Sequence, residues 1–338
     1  MLLVLSVITP AFAWNVTGHE IVAAEAYDLL AKSHPETVVK IVELLKQHPL
    51  YDKMMASKLD AVPTEDRYKW LMMVAARWPD DVRRGPAGYS HPTWHYVDFP
   101  ITPPGDLTVG PQPEPPNALT SLVGQLHVIK DDNPAADKAV AICWVLHLVG
   151  DIHQPLHCVS LYSRQHVKGD KGGNDTFVRF EDKRTINLHQ LWDETLGQDA
   201  KFKACSNTAA ELLARPEFAQ DKLPELKDDP QPSNWVAESV DIAKRIAYAG
   251  MTIDGGTADA GQVLPNDYGK QAKATAERRM VLAGYRLAEQ LQLALSSDGG
   301  EGGGVKPPPA SPTPGKEYVG PRGGHYHIGP NGKKVYDK

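Results

Sequence analysis

Histidine and aspartate recur at helical spacing in the middle of the chain. His147 and Asp151 are four residues apart, and His189 and Asp193 repeat that spacing. Residues four apart share one face of a helix, where an imidazole and a carboxylate can bind one metal ion. One pair is weak evidence, because solvated helix faces often carry such pairs. Two pairs predict a metal centre, especially as Pro155 ends the first helix and lets His157 turn back towards it.

Trp14 is predicted to become the first residue of an exported protein. It follows Ala11-Phe12-Ala13 behind an apolar run, and signal peptidase cleaves after such a triplet. Residues 1–13 are therefore predicted to be a signal peptide, although they are short and lack a basic segment. Cleavage would free the amine of Trp14 as a metal ligand, five residues before His19. No later run reaches ~18 apolar residues, so we expect a secreted or periplasmic protein without a membrane span.

The candidate ligands are too many for one ion. Asp80 and His95 add a carboxylate and an imidazole upstream of the central pairs. A structural zinc site usually takes four ligands, so the sequence predicts two or three ions. The candidates are Trp14, His19, Asp80, His95, His147, Asp151, His157, His189 and Asp193.

Mostly helical elements must position these residues. Apolar residues recur at i, i+3 and i+4 from Gly18 to about Ser297, which predicts a single mainly α-helical domain over residues 14–297. At its start, Thr17 and Glu20 match a capping box. Prolines between 100 and 117 predict a long surface loop. Gly169 to Asn187, with its alternating run, predicts a small β-hairpin.

The end of the chain has a different composition. Residues 298–316 are Gly-rich and then Pro-rich, which is typical of a linker. Residues 317–338 have a basic excess and three tyrosines, and are predicted to be a separate small module. Through Gly320-Pro321-Arg322-Gly323-Gly324 and Gly332-Lys333-Lys334-Val335-Tyr336 this module resembles the short basic adaptor repeat of large algal viruses. The resemblance implies a tether whose partner is unknown.

Charge and cysteine content exclude some classes of protein. A net charge of -6 over 338 residues leaves no broad basic surface for holding duplex nucleic acid by counterion release. Three cysteines allow at most one internal disulfide, and whether Cys158 pairs with Cys205 stays open.

His153 lies off the ligand face of its helix and is predicted to be structural. His48 has no partner pattern and is predicted to lie at the surface.

The combined motifs resemble a known family. A Trp with His five residues later, His-x3-Asp-x5-His, Gly-Gly-Asn and a final His-x3-Asp are similar to the trinuclear-zinc single-strand nucleases of the S1/P1 type, whose fold is related to zinc phospholipase C. The resemblance spans about Trp14 to Leu295 and implies three zinc ions. It implies one ion at Asp80, His95, His147 and Asp151. It implies a second at His157, His189 and Asp193, and a third at Trp14 and His19, with Asp151 bridging to the first.

The same resemblance implies an activity and a set of roles. The expected reaction is hydrolysis of single-stranded DNA or RNA to 5'-phosphomonoesters, with 3'-nucleotides as further substrates, by a monomeric catalytic domain. The expected catalytic residues are Asp80, which orients the nucleophile, Arg83, which faces the transition-state charge, and the bridging Asp151. Tyr96 is expected to stack on a base and Asp98 to bind a base edge, with Asn174 also contacting substrate. Stacking contributes ~1–3 kcal/mol per base and is not available to a base paired in a duplex. The enzyme is therefore expected to prefer single-stranded substrates.

Two alternatives remain from the sequence. A zinc phospholipase C would share the ion cluster, but its pattern has Glu where this chain has Asp193, and Tyr96 with Asp98 suits a base better than choline. A non-enzymatic surface module with structural zinc is disfavoured, because structural zinc sites favour cysteine and are closed by four protein ligands.

Overall fold

The computed structural model describes residues 14–83, 85, 88–181, 183–251 and 256–296, together with three strands between 317 and 336. The predicted signal peptide and linker lie outside the described residues. The chain divides into two compact units, residues 1–299 and residues 300–338. Each unit is described by itself.

The first unit is mainly α-helical, as the periodicity predicts. Its α-helices are α1 Val16–Ser33, α2 Pro35–Leu45, α3 Tyr51–Met54, α4 Arg67–Asp81, α5 Ala118–Lys130, α6 Ala135–His153, α7 Leu188–Asp193, α8 Phe202–Leu213, α9 Glu225–Asp228, α10 Pro232–Ile242 and α11 Tyr268–Leu295. Three-ten turns lie at Ala56–Ala61, Thr64–Asp66, Pro92–His95, Pro155–His157, Pro216–Phe218 and Gln220–Lys222, and a π-helical turn lies at Ala243–Ala247.

Two helices form the centre of this unit. α1 packs against α4, α8 and α11, and α6 packs against α2, α4, α5 and α11. Every residue of α6 from Ala141 to His153 is buried, and a helix that is apolar around its whole circumference is enclosed on all sides. The imidazoles and carboxylate on this helix are therefore held in the interior, where they need polar partners.

The start of α1 differs from the predicted capping box. Asn15 is the N-cap, and its side-chain oxygen accepts a hydrogen bond of 3.1 Å from the Gly18 amide. Thr17 instead lies within the helix and is buried. Asparagine caps a helix as well as threonine does, and here it begins the helix two residues earlier.

Short strands flank the helices. β1 Phe99–Ile101 and β2 Val159–Leu161 form a parallel pair with Ile101 opposite Leu161. The predicted hairpin is confirmed: β3 Phe177–Arg179 pairs antiparallel with β4 Ile186–Asn187, and β5 Gln262–Val263 joins β3 in parallel. As predicted from its prolines, the segment after β1 contains no helix before α5.

Buried polar residues settle two expectations. The prediction that His48 lies at the surface is wrong: it is 3% exposed, and its Nδ1 accepts a hydrogen bond from the Leu50 amide, which lets a histidine be buried. His153 agrees with a structural role, because its Nδ1 lies 2.7 Å from the Val149 carbonyl and its Nε2 lies 2.9 Å from Arg286. Cys143, Cys158 and Cys205 are buried free thiols.

The second unit contains β6 Glu317–Val319, β7 His325–Ile328 and β8 Lys334–Tyr336 in an antiparallel sheet. Tyr318 is opposite Tyr326, and Tyr326 is opposite Tyr336. No helix among the described residues is long and apolar enough to cross a bilayer.

Candidate metal centre

Four helices and two turns bring the candidate ligands together, with His19 on α1 and His189 and Asp193 on α7. α6 contributes His147 and Asp151 from its buried interior, and α4 contributes Asp80 from its last turn. Two three-ten turns contribute His95 and His157, each as the last residue of its turn. The side chains fall into three groups whose donor atoms lie within 4.8 Å of one another: His19 with His147 and Asp151, Asp80 with His95 and His147, and His157 with His189 and Asp193.

Donor atoms in the Asp80 group have the spacing of a metal shell. His95 Nδ1 lies 2.8 Å from His147 Nε2. Asp80 Oδ1 lies 3.8 Å from both of these nitrogens. Ligands at zinc's usual bond length of about 2 Å are about 3.4 Å apart in a tetrahedron. The observed distances bracket that value, so one zinc ion fits among the three side chains.

Asp151 faces two groups with its two oxygens. Oδ2 lies 3.2 Å from His147 Nε2 and 3.4 Å from His95 Nδ1. Oδ1 lies 3.4 Å from His19 Nε2. A carboxylate can bridge two ions because each oxygen can bind one of them. The geometry therefore permits Asp151 to connect the His19 group with the Asp80 group.

The third group lies on short elements. His157 Nε2 and His189 Nε2 are 3.0 Å apart. Asp193 Oδ2 lies 3.6 Å from His189 Nε2, and Asp193 Oδ1 lies 4.0 Å from His157 Nε2. α7 is only six residues long, and its N-cap Asn187 accepts a hydrogen bond of 2.7 Å from the Gln190 amide. This cap fixes the first turn and so the direction of His189.

Backbone carbonyls orient three of the imidazoles. The Nδ1 atoms of His147, His157 and His189 lie 2.8, 2.6 and 2.7 Å from the carbonyls of Ala76, His95 and Gly172 respectively. Donation from Nδ1 to a carbonyl leaves the Nε2 lone pair free to bind a metal, as is usual for metal-ligating histidines. His95 differs, because it turns Nδ1 rather than Nε2 towards the group.

Burial sets the charge state of the centre. It lowers the pKa of His95 and of His189 to about 3, which keeps both imidazoles in the neutral form that binds metal. Burial opposes ionisation of Asp151, yet the neighbouring His147 holds the Asp151 pKa well below its ordinary value. Burial raises the pKa of Asp80 and Asp193. A cation placed between these carboxylates and the imidazoles would therefore favour the ionised form of both carboxylates.

The unsatisfied atoms of the centre fit zinc. Both oxygens of Asp151 and both ring nitrogens of His19 are buried without a hydrogen bond among the described residues. A buried charge is normally paired or bound to a metal, because leaving it isolated costs far more than folding can supply. Imidazole and carboxylate donors without a thiolate also match catalytic rather than structural zinc sites.

Trp14 and His19 lie side by side against α6. A Cβ atom on Gly18 would lie 2.7 Å from Trp14 Cβ. A Cβ atom on Gly150 would lie 2.9 Å from His19 Nδ1 and 3.9 Å from Trp14 Cδ1. Only residues without a side chain allow this close approach. The Trp14 ring is thus held against Gly150 of α6, beside the His19 ring.

Four further residues were predicted to contact the substrate or to face the transition-state charge: Arg83, Tyr96, Asp98 and Asn174. Arg83 Nε lies 2.9 Å from Asp80 Oδ1, so the guanidinium is beside a candidate ligand. Tyr96 is 40% exposed and follows His95 directly, leaving its ring open to a ligand. Burial, and secondarily Asp170, raises the pKa of Asp98 to about 7. Asn174 donates a hydrogen bond of 2.8 Å to the Lys171 carbonyl, which holds its side chain to its own loop.

Gln154 is a supporting residue that the sequence did not reveal. It is fully buried, its Nε2 donates a hydrogen bond of 2.8 Å to Asp193 Oδ1, and its Oε1 accepts one of 2.5 Å from the Leu156 amide. It thereby connects the end of α6 to α7. The sequence signal for a role of Gln154 was its position directly after α6, which carries two candidate ligands, and directly before Pro155. Nothing local in the sequence indicates its contact with Asp193.

Gly172 has a similar supporting role. Its φ is +62°, and a Cβ atom there would lie 2.2 Å from the Leu156 carbonyl oxygen. Only glycine adopts this conformation without strain, and the conformation aims the Gly172 carbonyl at His189. The Gly-Gly-Asn motif was expected to contact substrate through Asn174. The contact of Asn174 with substrate stays a prediction, whereas the structure shows that Gly172 of this motif orients a candidate ligand.

Buried cations hold the end of α6. Arg279 Nε donates to the His153 carbonyl at 3.2 Å, and the Ser239 hydroxyl donates to the Ile152 carbonyl at 2.6 Å. Glu238 pairs with both Arg279 and Arg286, which are almost fully buried. The last carbonyls of a helix need such donors, and cations there are favoured by the helix dipole. The helix that carries His147 and Asp151 therefore has a fixed end.

This fold and site define a mainly α-helical protein with a buried histidine and aspartate centre able to bind metal. Residues 14–296 match the S1/P1 Nuclease family, and the chain belongs to that family. It is 26% identical to nuclease S1 of Aspergillus oryzae over 303 residues, which cover 84% of this chain and 93% of that protein. It is 24% identical to endonuclease 3 of Arabidopsis thaliana over 320 residues, covering 88% and 94% of the two chains. It is 30% identical to endonuclease 4 of the same plant over 168 residues, covering 46% and 51%.

The chain is therefore a nuclease, and nucleic acid is its substrate. The sequence correctly predicts the family and the mainly α-helical fold. The adaptor resemblance of the second unit and the roles of individual site residues stay predictions.

Proposed function

We propose that this nuclease is a secreted or periplasmic, single-strand-specific endonuclease that uses three zinc ions, forms 5'-phosphomonoesters and also hydrolyses 3'-nucleotides. One observation carries the proposal: Asp151 is fully buried and turns each oxygen to a different group of imidazoles. That arrangement suits a carboxylate shared by two ions. Two-ion centres are a recurring solution for hydrolysis of phosphodiesters.

The ligand sets follow the three groups of side chains. Asp80, His95, His147 and Asp151 would hold one zinc, and His157, His189 and Asp193 a second. Asp151, His19 and the main chain of Trp14 would hold a third. Zinc in these positions supplies Lewis acidity, lowers the pKa of water and neutralises phosphate charge. Completion of the third set requires cleavage after Ala13, because a backbone amide nitrogen is not a metal ligand of this kind.

The chain's own side chains would bind and orient the substrate. Arg83, placed beside Asp80, puts a guanidinium next to the centre, where charge develops on the phosphate. Asp80 would orient the attacking water through its carboxylate. Tyr96 offers a half-exposed ring for stacking of an unpaired base, and Asp98 and Asn174 would offer hydrogen-bonding groups to the substrate. A base held in a duplex cannot stack in this way, which accounts for selection of single strands.

The test compares substrates on the zinc-loaded, processed protein. Single-stranded DNA, the same sequence as duplex, a 3'-mononucleotide and phosphatidylcholine are assayed side by side, and the products are analysed for the position of the phosphate. We expect single-stranded DNA to be cut fastest, with phosphate on the 5' end. Faster turnover of the lipid would favour the phospholipase alternative, and products carrying a 3'-phosphate would contradict the proposed bond cleavage.

A further inference from the structure

Three aliphatic side chains project from two loops of the first unit. Leu107 is 90% exposed, Val109 is 89% exposed and Val167 is 65% exposed. The other exposed large apolar side chains of the described residues are 40% to 46% exposed. A side chain that keeps almost all of its surface in water has few neighbours, so these three extend beyond the surface around them. Isolated exposed apolar residues are ordinary, but several on adjoining loops mark an interaction site.

The two loops lie side by side because each follows one strand of the β1–β2 pair. The first loop, residues 102–110, follows β1, and the second, residues 162–169, follows β2. The Tyr162 amide donates a hydrogen bond of 2.8 Å to the Ile101 carbonyl, and the Arg164 amide donates one of 3.0 Å to Asp106 Oδ2. A Cβ atom on Gly110 would collide with the Tyr162 ring. The three projecting side chains therefore belong to one patch of the surface.

Hydrogen bonds hold the backbone of both loops. In the first loop, Asp106 Oδ1 accepts hydrogen bonds from the Thr108 amide at 2.9 Å and from the Thr108 hydroxyl at 2.6 Å. In the second, the His166 amide donates to the Ser163 hydroxyl at 3.1 Å, and the Gly169 amide donates to the His166 carbonyl at 2.9 Å. The aliphatic side chains are thus presented by ordered loops, which lowers the entropy that a binding partner must remove.

The charges on these loops are mainly positive. Arg164 and Lys168 are exposed on the second loop, on either side of Val167. Among the described residues, neither of these two side chains forms a hydrogen bond or a salt bridge. The acidic residue of the two loops is Asp106, which is 9% exposed and accepts three hydrogen bonds. The patch therefore combines projecting aliphatic groups with exposed cations.

We propose that the two loops form a docking surface for an anionic lipid bilayer. Leu107, Val109 and Val167 insert at the boundary between headgroups and acyl chains, and Arg164 and Lys168 contact the lipid phosphates. Binding of proteins to the surface of a bilayer depends on this pairing of inserted apolar area with nearby cations. None of the residues proposed to bind metal or substrate lies in these loops, so docking leaves the metal centre complete.

A bilayer suits this patch better than the surface of another protein. The core of a protein interface is packed as densely as a protein interior and is enriched in aromatic side chains. Here the apolar groups are three separate aliphatic side chains at loop tips, and none of the residues in the two loops with an exposed ring adds to them. Acyl chains adapt to such projections without a matching pocket.

The direct test is sedimentation of the zinc-loaded, processed full chain with lipid vesicles. We expect it to bind vesicles of phosphatidylglycerol mixed with phosphatidylcholine more tightly than vesicles of phosphatidylcholine alone. The double variant Leu107→Ser, Val109→Ser should weaken this binding by at least about 10-fold, because two inserted side chains are lost. Val39→Ser, which removes an exposed aliphatic residue of α2, is the matched control and should bind like the wild type.

The double variant Arg164→Gln, Lys168→Gln tests the charged part of the patch. It should remove most of the preference for phosphatidylglycerol, because the cations that face the anionic lipid are gone. Both double variants should cleave a short oligonucleotide in vesicle-free solution at the rate of the wild type, which also shows that they are folded.

Three results would overturn the proposal. The first is vesicle binding by both double variants that equals binding by the wild type. The second is binding that is lost only on removal of the residues after Ser297, which would assign it to the basic second unit. The third is a wild-type dimer in sedimentation velocity that Leu107→Ser, Val109→Ser dissociates, which would show that a second copy covers the patch. Vesicle binding is measured without turnover, so a failure of the proposed strand selectivity would not affect these results.

Discussion

The two sides of the metal centre are built differently. On one side, His147, Asp151 and Asp80 project from the long buried helices α6 and α4. On the other side, His157 and His189 come from a three-ten turn and a six-residue helix. The helical side is fixed by the packing of whole helices. The loop side depends on single hydrogen bonds, from Gln154 to Asp193 and from His189 to the Gly172 carbonyl.

This difference decides how each side responds to substitution. A long helix keeps its ligands in place as long as its core packing survives. A short element loses orientation when one supporting bond is removed. The following predictions run from the largest expected effect on nuclease activity to the smallest.

Asp151→Asn removes the carboxylate that faces both groups on the helical side. We expect kcat/KM on single-stranded DNA to fall by more than about 100-fold, beyond the loss typical of a supporting residue, and bound zinc to decrease. Circular dichroism should remain that of the wild type, since the amide has the same shape. A variant with full activity would contradict the shared carboxylate.

Gln154→Ala tests the loop side. Loss of the hydrogen bond to Asp193 should weaken binding of one zinc by about 10–100-fold and leave the remaining zinc unchanged, as measured by chelator competition. Gln154→Met is the matched control: it keeps a similar volume but can neither donate to Asp193 nor accept from the Leu156 amide. Equal losses in both variants would support a role for these hydrogen bonds, whereas wild-type zinc binding in Gln154→Met would show that Gln154 only fills space.

Gly172→Ala should disturb the orientation of His189. The positive φ and the 2.2 Å approach to the Leu156 carbonyl force the loop to move. We expect about a 10-fold loss of zinc affinity and about 1–3 kcal/mol lower free energy of unfolding. Gly124→Ala, inside α5 with no atom within 4 Å of the new Cβ, should instead raise the free energy of unfolding by about 0.5–1 kcal/mol.

Glu25→Gln should change stability and leave activity intact. Glu25 lies fully buried on α1 with no hydrogen bond to either oxygen among the described residues, and burial raises its pKa well above the ordinary value. Because the pKa of Glu25 is higher in the folded than in the unfolded protein, its contribution to the free energy of unfolding is fully present below the unfolded-state pKa. That contribution is lost as the pH rises above the unfolded-state pKa. The variant should therefore gain stability relative to the wild type by up to about 1.4 kcal/mol per pH unit above about pH 4.5. Denaturant titrations at pH 4 and 7 check this, and an equal difference at both pH values would contradict it.

Removal of the residues after Ser297 should have no effect on cleavage of short oligonucleotides. The matched family region ends at residue 296, and the described strands after it form a sheet of their own. Specific activity of the shortened and full chains on the same oligonucleotide is the measurement. A large loss would show that the tail belongs to the catalytic fold.

The contrast between the two sides also explains what the sequence could predict. His147 and Asp151 follow helical periodicity, so their shared face was readable from spacing. The β-hairpin was readable from alternation and glycines. Gln154 was not, because its partner Asp193 is 39 residues away and only the tertiary fold brings them together. The N-cap at Asn15 was misassigned to Thr17, because both residue types cap helices and sequence alone does not choose between adjacent candidates.

The central claim is that maturation at Trp14 completes a three-zinc centre. Native mass spectrometry of the exported protein, together with determination of its first residue, tests it directly. We predict Trp14 at the amino terminus and three zinc ions per chain, and fewer than three in a precursor that retains residues 1–13. A fully active protein with residues 1–13 still attached, or a mature protein with fewer than three zinc ions, would contradict the account.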